Sequence, residues 1–158
     1  MQGSLVCWVQ IDKEAGVIRR LLGVAAAILL LHVAACGTRP VVDIEAQPVG
    51  VKSDGSSFST EEVRAAILQG CRIRGWVPEL DGSDKVLATI TVKGRLVVQV
   101  EIPFDTSRYS IRYRSSEGMD FSPETRKIER NYNRWVVNLN SSIKKELRVA
   151  ATESSHSR

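Results

Sequence analysis

Three cysteines and two histidines carry the richest site chemistry in this 158-residue chain. Cys7, Cys36 and Cys71 are odd in number, and their spacings fit neither a zinc site nor a thioredoxin-type pair. His32 interrupts an apolar run and His156 lies in the last three residues, so the expected folded part has no histidine. That removes Ser–His and Cys–His nucleophiles and most zinc or iron sites from it. Among the carboxylates, Glu79, Asp81 and Asp84 cluster in "ELDGSDK", and Asp120 stands near Glu124. A weak calcium site is one reading of the first cluster; a solvated turn is the preferred reading of both. There is no P-loop and no dinucleotide fingerprint. The expectation is a protein with no catalytic residues, no metal and no cofactor.

One cysteine is placed for a different chemistry. Arg19 and Arg20 precede an apolar stretch, Leu21 to Leu31, which ends in Val33-Ala34-Ala35-Cys36-Gly37. A positive region, a short apolar core and small residues before a cut are the parts of a secretory signal peptide. The apolar core falls short of the roughly 20 residues that span a bilayer. Val33-Ala34-Ala35-Cys36 resembles the lipobox of bacterial lipoproteins. The resemblance implies that the Cys36 thiol is joined to diacylglycerol, that the chain is cut before it, and that the new amine is usually acylated. Two or three acyl chains on one residue hold a protein stably on a membrane, where one would bind reversibly. Gly37, rather than an aspartate, follows the cysteine, which by the sorting rule of enterobacterial lipoproteins implies the outer membrane, facing the periplasm. Residues 1–16 are either an extended positive region or a misassigned start with Val17 as initiator; the second is preferred.

The rest divides into a lipidated cysteine and flexible tether over 36–57, a domain over 58–148 and a disordered tail over 149–158. Pro40, Pro48, Gly50, Gly55 and several serines make the tether loop-like, with Val41–Ile44 able to form a short edge strand. "FSTEEV" reads as a helix start: Ser59 and Glu62 form a capping box, and Phe58 with Val63 a hydrophobic staple. Val63, Ala66, Ile67, Gly70 and Cys71 then share a face, making Cys71 a buried small hydrophobe. Three stretches alternate with a period of two: Val86 to Val92, Leu96 to Ile102 and Tyr109 to Tyr113. "KGR" and "DTS" are the turns between them, and Trp76-Val77 could open a further strand. Residues 115–124 read as a loop. Ile128, Tyr132, Trp135, Leu139, Ile143 and Leu147 make a helical stripe. The economical arrangement is an α+β two-layer sandwich: an antiparallel meander of three to four strands, two helices packed on one face, and Trp135 at the centre.

"YSIRYRSS" and "KIERNYNRWVVNLNSSI" together resemble a family of small proteobacterial lipoproteins of unknown function. That family pairs a Tyr-Ser-Ile-x-Tyr strand with a C-terminal helix carrying Asn-Tyr-Asn-x-Trp and then Asn-Leu. Here the matching residues are Tyr109, Ser110, Ile111, Tyr113, Asn131, Tyr132, Asn133, Trp135, Asn138 and Leu139. "AILQGCRIRGWV" is similar to the family's first helix. Glu129 stands near where the family has a histidine, so no histidine role transfers, and the resemblance implies no activity.

A net charge of +4 is well short of a nucleic-acid footprint. The expected function is a non-enzymatic envelope lipoprotein, a small periplasm-facing module that binds or assembles with an envelope protein. The alternative is a structural factor contacting peptidoglycan or lipopolysaccharide through Arg108, Arg112, Arg114, Arg130 and Arg134.

Overall fold

The computed structural model describes residues 37–153; the signal segment, Cys36 and His156 lie outside them. The chain is α+β. Its elements are β1 (Thr38–Pro40), β2 (Ile44–Pro48), α1 (Thr60–Ile73), β3 (Val77–Leu80), β4 (Lys85–Val92), β5 (Leu96–Pro103), β6 (Arg108–Glu117), β7 (Lys127–Glu129) and α2 (Asn131–Glu153). A five-stranded antiparallel sheet runs in the order β2-β6-β5-β4-β3, and β1 pairs with β7 in a separate two-stranded sheet.

The three alternating stretches are β4, β5 and β6. Val86 and Ala88, then Val98, Val100 and Ile102, then Tyr109 and Ile111 are buried. β4 and β5 stay in unbroken register from Lys85↔Pro103 to Val92↔Leu96. They turn through Lys93 and Gly94, both with positive φ (54° and 67°). Between β5 and β6 the Asp105 carboxylate accepts from the Ser107 and Arg108 backbone N–H groups at 2.6 and 2.9 Å, an Asx turn that fixes the hairpin. A register shift opposite Gln99 and Val100 bulges β6 beyond Tyr113.

α1 starts as its sequence directs. Ser59 Oγ accepts from Glu62 N–H at 3.2 Å, and Glu62 Oε2 accepts from Ser59 N–H at 2.7 Å. Phe58 and the face Val63, Ala66, Ile67, Gly70 and Cys71 are buried. Its Gly70 lies against the Ile143 backbone of α2: a Cβ there would sit 2.9 Å from Ile143 Cα. α2 has no acid in its first turn; Glu129, on β7, accepts from Asn131 N–H at 3.2 Å instead.

Six expectations need correction. The sheet has five strands rather than three to four, because β2 and β3 both join it. Much of the expected tether over 36–57 is built into the fold: Ile44, Gln47 and Pro48 pair with Ile111, Tyr109 and Arg108, and Val49 is buried. No alternation marks β2, because it is bulged between Ile44 and Gln47, with Ala46 at φ +48°. Trp135 is not the centre of the α2 stripe; it is half-buried, and Val136 is fully buried. Positions four and seven after Tyr132 fall within about 40° of it around the helix, whereas position three is about 60° away on the flank. Ile128 belongs to β7 rather than to the helix, and β6 runs to Glu117, into the expected loop. Finally, α2 continues through Glu153, so the expected tail from 149 is helical to that point.

Candidate functional site

The segment that follows Cys36 is pinned at once. β1 pairs Thr38, Arg39 and Pro40 with Glu129, Ile128 and Lys127. Beyond it, Val41 N–H donates to the Arg126 carbonyl at 2.8 Å. Asn133, in the first turn of α2, then grips the backbone from both sides: its Nδ2 donates to the Pro40 carbonyl at 2.9 Å, and its Oδ1 accepts from Val42 N–H at 3.0 Å. Asp43 continues the clamp, accepting from Tyr113 N–H at 2.9 Å and from Arg126 Nη2 at 2.8 Å. Beneath it, Tyr113 stacks at 4.4 Å on Phe121 and meets Tyr132 edge-on at 5.6 Å. Tyr132 is fully buried, and its hydroxyl has no hydrogen-bond partner among the described residues. Burial, reinforced by the nearby Asp43 charge, pushes its phenol above the ordinary tyrosine range.

The five arginines do not form one surface. Arg112 is exposed on β6 and makes a two-pronged pair with Glu45, at 2.8 Å to each oxygen. The Arg112 hydrogen bond holds the Glu45 carboxyl below its ordinary range. Arg108 stands 3.7 Å from Asp105. Arg114 is exposed, and its charge acts on Asp81 and Lys85, themselves paired at 2.9 Å. Arg130 precedes α2, and Arg134 in its first turn donates to Asn131 Oδ1 at 2.7 Å. Tyr113 reaches Tyr132 of α2, whereas its neighbour Arg112 points to the other side of β6. Arg112 therefore lies on the side of β6 away from the Tyr113–Tyr132 contact, while Arg130 and Arg134 stand at the start of α2. On the outer side Asp81, Lys85, Glu101, Arg112 and Glu45 alternate in sign, with Glu101 directly opposite Arg112.

A cleft of about 840 Å³ runs between α1 and α2 and is lined in part by Lys52, Glu62, Ala66, Gln69, Glu146 and Ala150. Lys52 closes on Glu62 at 2.7 Å, which leaves a shallow polar trough. Cys71 is buried, and desolvation pushes its thiol up to about 12, so it packs as a hydrophobe and does not ionise near neutral pH. No group of three metal-ligating side chains converges among the described residues. No helix among them is long and apolar enough to cross a membrane.

The family-like residues serve the fold. Tyr109 Oη donates to Asn140 Oδ1 at 2.6 Å, and Ser110 Oγ accepts from Ala46 N–H at 3.0 Å. Ile111, Tyr132 and Leu139 are core, and Asn138 is exposed. Sequence reasoning missed Asn133 and Asp43 as the clamp on the first described strands. Asn133 was visible inside Asn-Tyr-Asn, but its partners stand more than 90 residues away. No family model, curated protein or solved structure matches the chain.

Proposed function

We propose that this chain is a bacterial envelope lipoprotein, held on the periplasmic side of the outer membrane by lipid on Cys36 and acting as a small non-enzymatic binding or assembly module. The sequence Val33-Ala34-Ala35-Cys36 at the end of a signal-like apolar run carries this reading. Strand β1 starts at Thr38, two residues after the cysteine that would become the mature N-terminus. The domain is a two-layer sandwich with both helices on one sheet face. This is supported by one continuous core that draws Val63, Ile67, Leu139 and Ile143 from the helices and Val86, Val100 and Ile111 from the sheet. The sheet's other face, rimmed by sign-alternating charges, is the surface offered to a protein partner. A polyanionic glycan is the weaker partner, because the five arginines do not form one surface and Arg112 is already closed on Glu45. Labelling cells with a fatty-acid analogue tests the anchor. The wild-type chain is expected to take up label and Cys36→Ser to take up none; equal labelling of the two would remove the lipoprotein reading.

A further inference from the structure

We propose that the pocket between residues 48–51 and the C-terminal half of α2 binds a carboxylate carried on an apolar body, as at the end of a peptide chain or on a free aliphatic acid. The site is separate from Cys36 and from the outer sheet face, and it does not rest on the lipoprotein reading.

The backbone builds the pocket. Leaving β2 at Pro48, the chain is pinned twice: Val49 N–H donates to the Ser107 carbonyl at 2.9 Å, and Ser53 N–H donates to the Ala151 carbonyl of α2 at 3.1 Å. Between these points Gly50 takes φ +89°, a conformation that glycine adopts without strain. The N–H groups of Gly50 and Val51 have no acceptor among the described residues. Between this span and α2 lies a pocket of about 270 Å³. Pro48, Val49, Val51 and Leu147 give it apolar walls; Val49 and Leu147 are buried, and Val51 is 65% exposed. Sites for drug-sized ligands run to roughly 300–1,000 Å³, so this one takes a fragment about the size of one residue.

Charge decides what the pocket takes. Lys144 and Arg148 line it, four residues apart on one face of α2. Lys144 is half-buried, and neither cation is in an ion pair among the described residues. Like charges at this spacing work against the helix. Nor does the helix dipole account for them, since it favours cations within the last turn, and the last turn of α2 holds no base. Among the described residues, no carboxylate lines the pocket. The acids of α2, Glu146 and Glu153, line the cleft shared with α1, beside Asp54 and Glu62. Lys93 and Arg95 are also outside any ion pair, but they stand exposed at a turn. Here two cations and two unbonded N–H groups share an apolar pocket. The cations and N–H groups suit an anion, and Arg148 suits the two oxygens of a carboxylate. The walls suit an aliphatic body beside it, which a bare phosphate lacks.

The test titrates the isotope-labelled full chain, produced in bacteria and held in mild detergent, and follows the amide resonances of Gly50 and Val51. The probes are N-acetyl-Gly-Gly-Leu with a free carboxylate, the same peptide as its C-terminal amide, hexanoate and inorganic phosphate. The free-carboxylate peptide should shift both resonances saturably. Its amide should bind about tenfold weaker or more, as loss of a charge-assisted hydrogen bond gives. Lys144→Gln and Arg148→Gln should each weaken the peptide about tenfold with unfolding midpoints unchanged. Lys145→Gln, next in sequence but not lining the pocket, should leave binding as it was. Hexanoate binding as tightly as the peptide assigns the site to free aliphatic acids; weaker hexanoate assigns it to chain ends. No saturable shift at Gly50 and Val51, equal binding of peptide and amide, or phosphate binding as tightly as the peptide overturns the proposal. Cys36→Ser should bind the peptide as the wild type does, so failure of the lipid anchor leaves the site standing.

Discussion

Tyr109 and Tyr132 are alike in residue type and depth but not in bonding. Tyr109 gives its hydroxyl proton to Asn140 at 2.6 Å; Tyr132 has no hydrogen-bond partner for its hydroxyl among the described residues. A made hydrogen bond contributes about 1 kcal/mol, whereas a buried polar group without one costs about 1–3 kcal/mol. The same substitution should therefore act differently at the two sites. Tyr109→Phe should destabilise by about 1 kcal/mol, leaving Asn140 short of a donor, while Tyr132→Phe should be neutral or stabilising by up to about 1 kcal/mol. Urea unfolding of the two variants would compare them, and a marked loss for Tyr132→Phe would mean its hydroxyl is satisfied.

At the scale of elements, the α1–α2 contact rests on an absent side chain. At Gly70 a Cβ would lie 2.8 Å from Ile143 Cγ1 and 2.9 Å from both Ile143 Cα and N. Two of these three atoms are backbone and cannot rotate away, so Gly70→Ala must push the helices apart. The expected cost is about 1–3 kcal/mol, as overpacking a core usually gives. Adding Ile143→Val should not restore the unfolding midpoint, because shortening that side chain leaves the backbone clash; full rescue would show that the contact is side-chain only. The start of α1 is sensitive to pH. The Lys52 hydrogen bond first, and the Ser59 N–H second, hold the Glu62 carboxyl below its ordinary range. A carboxylate with a depressed folded pKa stabilises above its unfolded value, about 4.3, and loses that contribution as pH falls through the folded value. Glu62→Gln should cost less than about 1 kcal/mol at pH 7, since the side chain is 35% exposed and screened, and the deficit should vanish in acid below the folded value. Ser59→Ala should cost about 1 kcal/mol in thermal or urea unfolding at neutral pH.

For the molecule as a whole, the first described strands decide where the folded domain begins. β2 forms one edge of the five-stranded sheet, and Asp43 and Glu45 reach Tyr113, Arg126 and Arg112 from it and its approach. Replacing residues 41–48 with a glycine–serine segment of equal length should therefore remove several kcal/mol, a large part of the roughly 5–15 kcal/mol that holds a small domain. A genuine tether would tolerate the exchange, and an unchanged urea midpoint would return residues 41–48 to that status.

The elements legible from sequence are those whose evidence is local. The α1 capping box and its buried face, and the inward side of β4, β5 and β6, follow from backbone hydrogen bonding and from helical and strand periods, which act within a few residues. What the tertiary structure alone decided lies in partners far apart along the chain. β1 and β7 are three residues each, too short to show a period, and exist because they find each other across almost 90 residues. β2 is bulged, and the distant Ser110 hydroxyl accepts from its Ala46 N–H. Trp135 and Val136 are adjacent apolar residues on one helix, and only the direction from which the rest of the core arrives selects Val136 for full burial. The clamp from Asn133 onto Pro40 and Val42 turns an apparent tether into fixed structure, because an amide with one donor and one acceptor in reach satisfies two backbone groups whose sequence neighbours cannot.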